Sequence, residues 1–101
     1  MYVSKTITLI NHSVRRAKER YGLDLSASDI DDIVVEIQAQ KAKFIARQSN
    51  RLTVFQVVIG STVCNVVYDS NRKTIVTFLP PGAPVYDRDR WKPGGRKAKK
   101  R

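Results

Sequence analysis

Residues 51–79 read RLTVFQVVIGSTVCNVVYDSNRKTIVTFL, and this stretch decides the fold. It contains three runs rich in Val, Ile, Thr and aromatic residues, separated by Gly60-Ser61 and by the polar segment 69–72. β-Branched and aromatic runs bounded by Gly, Asn, Asp and Ser are typical of antiparallel strands joined by short turns. A fourth such run, FIAR at 44–47, comes before them. The sequence therefore predicts a four-stranded meander.

Two helices are predicted before the sheet. Good helix formers dominate residues 11–21, and Gly22 follows to end this first helix. The second helix is predicted from Ser26 or Ser28, each with an Asp three residues later in a capping-box pattern, to about Gln40. Apolar residues at helical spacing form one stripe on each helix, namely Val14, Ala17 and Tyr21 on the first and Ile30, Ile33, Val34 and Ile37 on the second.

The segment before the first helix has no clear helical stripe. Residues 1–10 alternate loosely between apolar and polar, which is typical of a short edge strand or an extended lead-in. Thr8 and Asn11 are the two candidate N-caps for the helix that follows.

At 101 residues the chain has the size of one domain, and 42% of its residues are hydrophobic, enough for a modest core. We predict an α+β fold in which the two helices pack on one face of a four-stranded, mainly antiparallel sheet. The domain is predicted over residues 1–84 and a flexible basic tail over 85–101, because the proline-rich segment 80–84 ends the last strand.

Two features of the sequence indicate a cytoplasmic protein. The apolar runs are a few residues long, far short of the roughly 20 that a membrane span needs, and no targeting segment is recognised. The single cysteine, Cys64, lies inside an apolar strand and is predicted to be a buried small hydrophobe in a reducing compartment. We therefore expect no membrane partner.

The charge balance points to a polyanionic partner. The chain has 19 Lys and Arg against 9 Asp and Glu, a formal net charge of +10, which favours nucleic acid. The acids concentrate in residues 24–36, whereas the segment 86–101 is strongly basic. Trp91 in this segment is predicted either to stack on a base or to fold back on the sheet. The predicted nucleic-acid-binding residues of the tail are Arg88, Arg90, Trp91, Lys92, Arg96, Lys97, Lys99, Lys100 and Arg101.

One polar constellation lies on the first helix. His12, Arg16 and Arg20 are spaced four residues apart, so they form a row along one side, away from the apolar stripe. The only histidine of the chain beside two guanidinium groups indicates a phosphate subsite with a group that moves protons near neutral pH. The alternative interpretation is an ordinary solvated helix surface. The sequence contains no phosphate-binding Gly-rich loop, dinucleotide fingerprint or zinc-type cysteine spacing, so we predict no cofactor and no metal site.

The row on the first helix is part of a pattern that extends over most of the chain. The pattern consists of a helix with His-x3-Arg-x3-Arg, an acidic second helix rich in Ile, and a strand meander ending in IVTFL at 75–79. Over residues 12–79 it resembles a group of small phage and bacterial domains allied to the barnase/RelE-type ribonuclease superfamily. The matching places also include VVYD at 66–69 and Thr77. The resemblance implies RNA cleavage without a metal, or binding in members that have lost activity. It implies that His12 acts as acid or base, that Arg16 and Arg20 hold phosphate, and that Thr77 positions it.

Three functions fit these observations. The first is a small metal-independent endoribonuclease of toxin type, acting on RNA in a host or on the ribosome. The second is a non-catalytic nucleic-acid-binding or host-takeover protein of phage type, which meets a host protein in the host cytoplasm. The third is a virion protein that contacts packaged nucleic acid. Catalysis and oligomeric state both stay open at this point.

Overall fold

The structure is a computed structural model that describes residues 5–85 and 87. Two helices precede a four-stranded antiparallel sheet whose strands are neighbours in chain order. The predicted α+β fold is confirmed, and each predicted strand agrees with the observed one to within a residue at either end. The elements are α1 Lys5–Tyr21, α2 Ala27–Gln38, β1 Lys43–Arg47, β2 Leu52–Ile59, β3 Thr62–Asp69 and β4 Thr74–Phe78.

α1 is longer than the sequence pattern indicates. It begins at Lys5, so the prediction of a strand or extended lead-in over 1–10 is wrong for the described part of that segment. Both predicted caps, Thr8 and Asn11, lie inside the helix. The physical reason is that Ile10 packs against the core and extends the buried stripe by a turn, which outweighs the weak helix propensity of the β-branched residues around it.

α2 starts with a complete capping box. The Ser26 side chain accepts a hydrogen bond from the Asp29 N–H at 3.2 Å, and the Asp29 carboxylate accepts one from the Ser26 N–H at 2.9 Å. Ser26 is therefore the cap rather than the alternative, Ser28. The predicted stripe is confirmed as the buried face of α2, which consists of Ile30, Ile33, Val34 and Ile37.

The sheet has an apolar cluster on each face. The larger one lies between the sheet and the helices and contains Cys64, which is fully buried; burial raises the pKa of its thiol to about 11. This buried position confirms the prediction of a small hydrophobe. The smaller cluster, on the opposite face, is built on Ala46, Val54 and Val67, and Val85 packs against it. The chain beyond β4 therefore returns across the face that the helices leave uncovered.

The β3–β4 turn is closed by a buried carboxylate. Asp69 is only 2% exposed, and its Oδ1 accepts hydrogen bonds from the N–H groups of Asn71 at 2.8 Å and Arg72 at 3.2 Å. Its Oδ2 lies 3.7 Å from Nε of Arg51. An aspartate that bonds the backbone two residues on is a common turn device, so Asp69 belongs to the architecture.

Candidate nucleic-acid interface

α1 lies along β4, and three of its side chains donate hydrogen bonds to backbone carbonyls of β4 and of the residue that follows it. The Ser13 hydroxyl donates to the Ile75 carbonyl at 2.9 Å, and Nη1 of Arg20 donates to the Phe78 carbonyl at 2.6 Å. Tyr21 donates its hydroxyl to the Leu79 carbonyl at 2.6 Å. Because these contacts advance together along the helix and the strand, α1 runs parallel to β4. One side of α1 is thereby held at this edge of the sheet.

The structure brings two residues of the predicted row together. Nε of Arg16 donates to Nε2 of His12 at 3.5 Å, and both side chains are half-buried. The guanidinium of Arg16 also pairs with Glu19, its Nη1 lying 2.7 Å from Oε1. This arrangement fixes the imidazole beside a cation at the surface of α1.

Arg20 departs from the prediction. The helical wheel places it away from the apolar stripe, whereas its guanidinium reaches the sheet and caps the Phe78 carbonyl. The inference that no member of the row helps to pack α1 on the sheet is therefore wrong for Arg20. The reason is the length of the side chain, because an arginine on the flank of a helix reaches groups that its Cβ does not face. Arg20 thus joins helix to strand with one of its nitrogens.

His12 sits in a positive environment. Burial is the largest cause that lowers the pKa of its imidazole from 6.5, followed by the charges of Arg16, Arg15 and Arg20. His12 is therefore neutral at pH 7. Since Nε2 accepts from Arg16, the hydrogen-bond pattern assigns the proton to Nδ1. The acceptor nitrogen of this neutral histidine is the one to which Arg16 donates, so His12 can act as a base only after the Arg16 side chain has moved off Nε2.

Arg15 belongs with this group, although the sequence pattern did not single it out. It is exposed and has no ion-pair partner among residues 5–85 and 87, in contrast to Arg16. Its charge lowers the pKa of His12, and its side chain also lines a pocket beside α1 that contains Asp24 and Asp29. The sequence could have identified Arg15, because it follows His12 by three residues and residues three apart on a helix are neighbours. We call His12, Arg15 and Arg16 the α1 basic cluster.

Thr77 lies on the strand that α1 flanks. It pairs with Val67 across the β3–β4 ladder, and Val67 belongs to the smaller apolar cluster, so the Thr77 side chain shares that face of the sheet. Its neighbour in the chain, Phe78, is the residue that Arg20 contacts. No hydrogen bond joins Thr77 to the α1 basic cluster in the described part of the chain.

The acidic surface is elsewhere. Asp29, Asp32 and Glu36 line a groove of about 240 Å³ between α2 and the β2–β3 turn. Carboxylates repel phosphate, so this groove is unsuited to a nucleic acid. The predicted tail residues, from Arg88 to Arg101, lie outside the described residues.

Residues 5–85 and 87 contain no group of three His, Cys, Asp or Glu side chains that could hold a metal ion. Neither α1 nor α2 is long and apolar enough to cross a membrane. In comparisons with known proteins, no family model, no curated protein and no solved structure matches this chain.

Proposed function

We propose that this protein binds RNA by holding its phosphate backbone, with the α1 basic cluster as one part of the interface. The observation that carries the proposal is the density of positive charge at His12. Arg15 and Arg16 both lower the pKa of this imidazole, and only Arg16 has a carboxylate partner among the described residues. A phosphate near this cluster gains a charge-assisted hydrogen bond from Arg15 without breaking an existing ion pair.

The distribution of charge over the chain supports the same proposal. Four of the nine acids lie on α2, whereas the net charge of +10 is carried by α1, the strands, the loops and the tail. We place the protein in the cytoplasm, that of the host if it is phage-encoded, where RNA and ribosomes are its available polyanions. In this setting the nucleic-acid-binding residues predicted in the tail add sequence-independent affinity.

The test is a titration of fluorescently labelled RNA with purified protein at several salt concentrations in EDTA. Arg15→Ala and Arg16→Ala are each expected to weaken binding and to make the slope of log affinity against log salt shallower by about 0.7, the value for one phosphate contact on a single strand. Lys18→Ala is the matched control, because Lys18 is on the same helix and, like Arg16, is paired with a carboxylate, Asp24 at 2.8 Å, but its charge is not among those that lower the pKa of His12. Equal binding by wild type, Arg15→Ala and Arg16→Ala would overturn the proposal.

A second function, metal-independent RNA cleavage, is favoured by the state of His12. In this reaction Arg16 swings from Nε2 of His12 to the phosphate, and the freed neutral imidazole takes the proton of a ribose 2′-hydroxyl as the 2′-oxygen bonds to the adjacent phosphorus. The bond from phosphorus to the 5′-oxygen breaks, and the 5′-oxygen takes a proton from water to become a hydroxyl, while the hydroxide formed takes the proton back from the imidazolium. In this scheme the Arg16 guanidinium stabilises the charge that develops on the phosphoryl oxygens.

Cleavage is tested by incubating labelled RNA with the protein in EDTA. His12→Ala is expected to lower the rate by about 10² to 10⁴-fold while RNA affinity changes little, as for the loss of a general base. Absence of EDTA-resistant cleavage by the wild type leaves RNA binding without catalysis. Cleavage that is unaltered in His12→Ala would remove His12 from the reaction.

A further inference from the structure

A row of three aromatic side chains crosses the sheet at the edge opposite α1. The rings of Phe44 in β1 and Phe55 in β2 meet edge to face, with centroids 6.3 Å apart and an angle of 82°. Phe55 meets Tyr68 in β3 in the same manner, at 6.2 Å and 74°. Exposure differs sharply along the row, because Tyr68 is 9% exposed and Phe44 is 53% exposed. The row therefore leads from the core to an aromatic ring in solvent.

The strand order explains why Phe44 is uncovered. β1 is the edge strand farthest from β4, and β4 is the strand on which both helices pack. Phe55 and Tyr68 reach the large apolar cluster beneath the helices, whereas Phe44 touches the core only through its cross-strand partner Phe55. The packing of the core thus explains why Phe55 and Tyr68 are aromatic. It does not account for an exposed phenylalanine at the edge.

Polar groups lie on the same face of the sheet as the aromatic row. The Gln38 amide, at the end of α2, donates to the Tyr68 hydroxyl at 3.2 Å, at the buried end of the row. Arg47 is paired in the ladder with Thr53, and Thr53 with Tyr68, so Arg47 lies on this face as well. The Arg47 guanidinium is held by the carbonyls of Ser49 and Asn50 at 3.4 and 3.3 Å. The face that carries the exposed ring therefore also carries an oriented guanidinium, toward the β1–β2 turn.

The charged side chains within this part of the chain are all positive, and the α2 carboxylates face only the far end of β2, at Val58 and Ile59. Residues 37–68 contain no Asp or Glu at all, and their four charged side chains are Lys41, Lys43, Arg47 and Arg51. All four are exposed. A second copy of the chain docked here in a two-fold arrangement would bring these cations together, which costs free energy. A polyanion with an aromatic face satisfies both the charge and the ring.

We propose that the open β1–β2 half of the sheet binds an unpaired base of single-stranded RNA, with the base stacked on Phe44. Arg47, on the same face, contacts a phosphate of the same strand. This inference rests on the proposed RNA binding and deepens it, because it names single-stranded RNA as the substrate class. The base-stacking site and the α1 basic cluster lie at opposite edges of one sheet, so a single strand that crosses the domain contacts both.

The test compares a short single-stranded RNA with the same RNA annealed into a duplex, both titrated by fluorescence anisotropy. Phe44→Ala is expected to weaken single-strand binding by roughly 5- to 150-fold, the range for losing one stacked base, and to leave the salt slope and duplex binding unchanged. Phe44→Trp is expected to restore affinity. Phe44→Leu, which keeps the apolar contact with Phe55 but lacks a ring, is expected to behave as Phe44→Ala. Val63→Ala is the matched control, since Val63 is equally exposed at 53% and is not part of the row.

Each outcome decides the inference. If Phe44→Ala and Phe44→Leu bind the single strand as the wild type does, the stacking site is overturned, and the proposed RNA binding stands if Arg15→Ala and Arg16→Ala still weaken affinity. If the wild type binds no RNA, both proposals fail. Sedimentation of the protein without RNA tests whether a second copy of the chain, instead of a base, binds at Phe44. A dimer that Phe44→Ala dissociates would show that a second copy, rather than a base, covers this ring.

Discussion

The hydroxyl of Ser13 in α1 donates a 2.9 Å hydrogen bond to the backbone carbonyl of Ile75 in β4. Both residues are fully buried, so neither group has water as an alternative partner. β4 is the last strand of the sheet, and an edge strand presents backbone groups that no neighbouring strand satisfies. A serine in the buried stripe of α1 supplies one of the missing partners. This explains why a polar residue occupies a core position on the helix.

Replacing Ser13 by Ala removes this donor and leaves the Ile75 carbonyl buried without its partner. We expect the free energy of unfolding to fall by about 1–3 kcal/mol, measured by urea denaturation, because an unsatisfied buried group carries its full desolvation cost. Ser28→Ala is the control, since Ser28 is exposed at the start of α2 and should change stability by no more than about 0.5 kcal/mol. Equal stability of the Ser13 variant and the wild type would contradict the assignment.

Tyr21 provides a second test of how α1 is attached. Its hydroxyl donates to the Leu79 carbonyl at 2.6 Å and accepts from the Asn65 N–H at 3.3 Å, so it bridges β3 to the residue after β4. Tyr21→Phe keeps the ring contact with Phe78 and removes both bonds. We expect a loss of about 1–3 kcal/mol by urea denaturation. Tyr68→Phe is the matched change, and it should cost less because its partner Gln38 is exposed to water.

The sheet was predictable from the sequence because its strands are local. Each run of β-branched residues is followed within a few residues by Gly, Asn, Asp or Ser, which mark a turn. The capping box at Ser26 likewise depends only on residues three positions apart. The beginning of α1 was not predictable in the same way. Residues 5–10 have weak helix propensity, and the stripe that makes them helical is recognised only once Ile10 is known to reach the core.

The candidate site was predictable only in its local part. The spacing of His12 and Arg16 implies their contact, because residues four apart on a helix are neighbours. The Arg20 contact with Phe78 joins positions 58 apart, and no periodicity contains that information. The contact between Phe44 and Phe55 depends on the β1–β2 register, which shifts at a bulge between Phe44 and Ala46. A register of this kind follows from packing and from the turn.

Titration of His12 by NMR measures the field of the α1 basic cluster directly. The chain has one histidine, so its ring resonances need no assignment by mutation. We expect a pKa below 6.5 in the folded protein. Arg16→Ala should raise this pKa more than Arg20→Ala, since Arg16 is the larger of the two charge effects. A value above 6.5 in the wild type would show that the imidazole faces an anion instead.

The same shift fixes the sign of the pH dependence of stability. Because the folded pKa of His12 lies below its unfolded value, the unfolded state binds the proton more readily between the two pKa values. The contribution of His12 to stability is therefore complete above about pH 6.5 and is lost as the pH falls through the folded pKa. Urea denaturation between pH 5 and 7 should show a shallower pH dependence for His12→Ala than for the wild type. Identical curves would contradict the shift.

Deletion of part of the basic tail distinguishes the RNA affinity that the tail contributes from the affinity that the folded domain contributes. Deleting residues 96–101 removes five of the 19 basic side chains, namely Arg96, Lys97, Lys99, Lys100 and Arg101. If all five neutralise phosphates of single-stranded RNA, the slope of log affinity against log salt becomes shallower by about 3.5 units. The free energy of unfolding should stay unchanged, because residues 96–101 contain no apolar side chain larger than that of Ala98. Substituting the five basic residues by Gln controls for chain length and should give the same slope as the deletion. An unchanged slope in both variants would mean that the tail does not touch phosphate, and would assign the RNA affinity to α1, the sheet and the remaining basic residues.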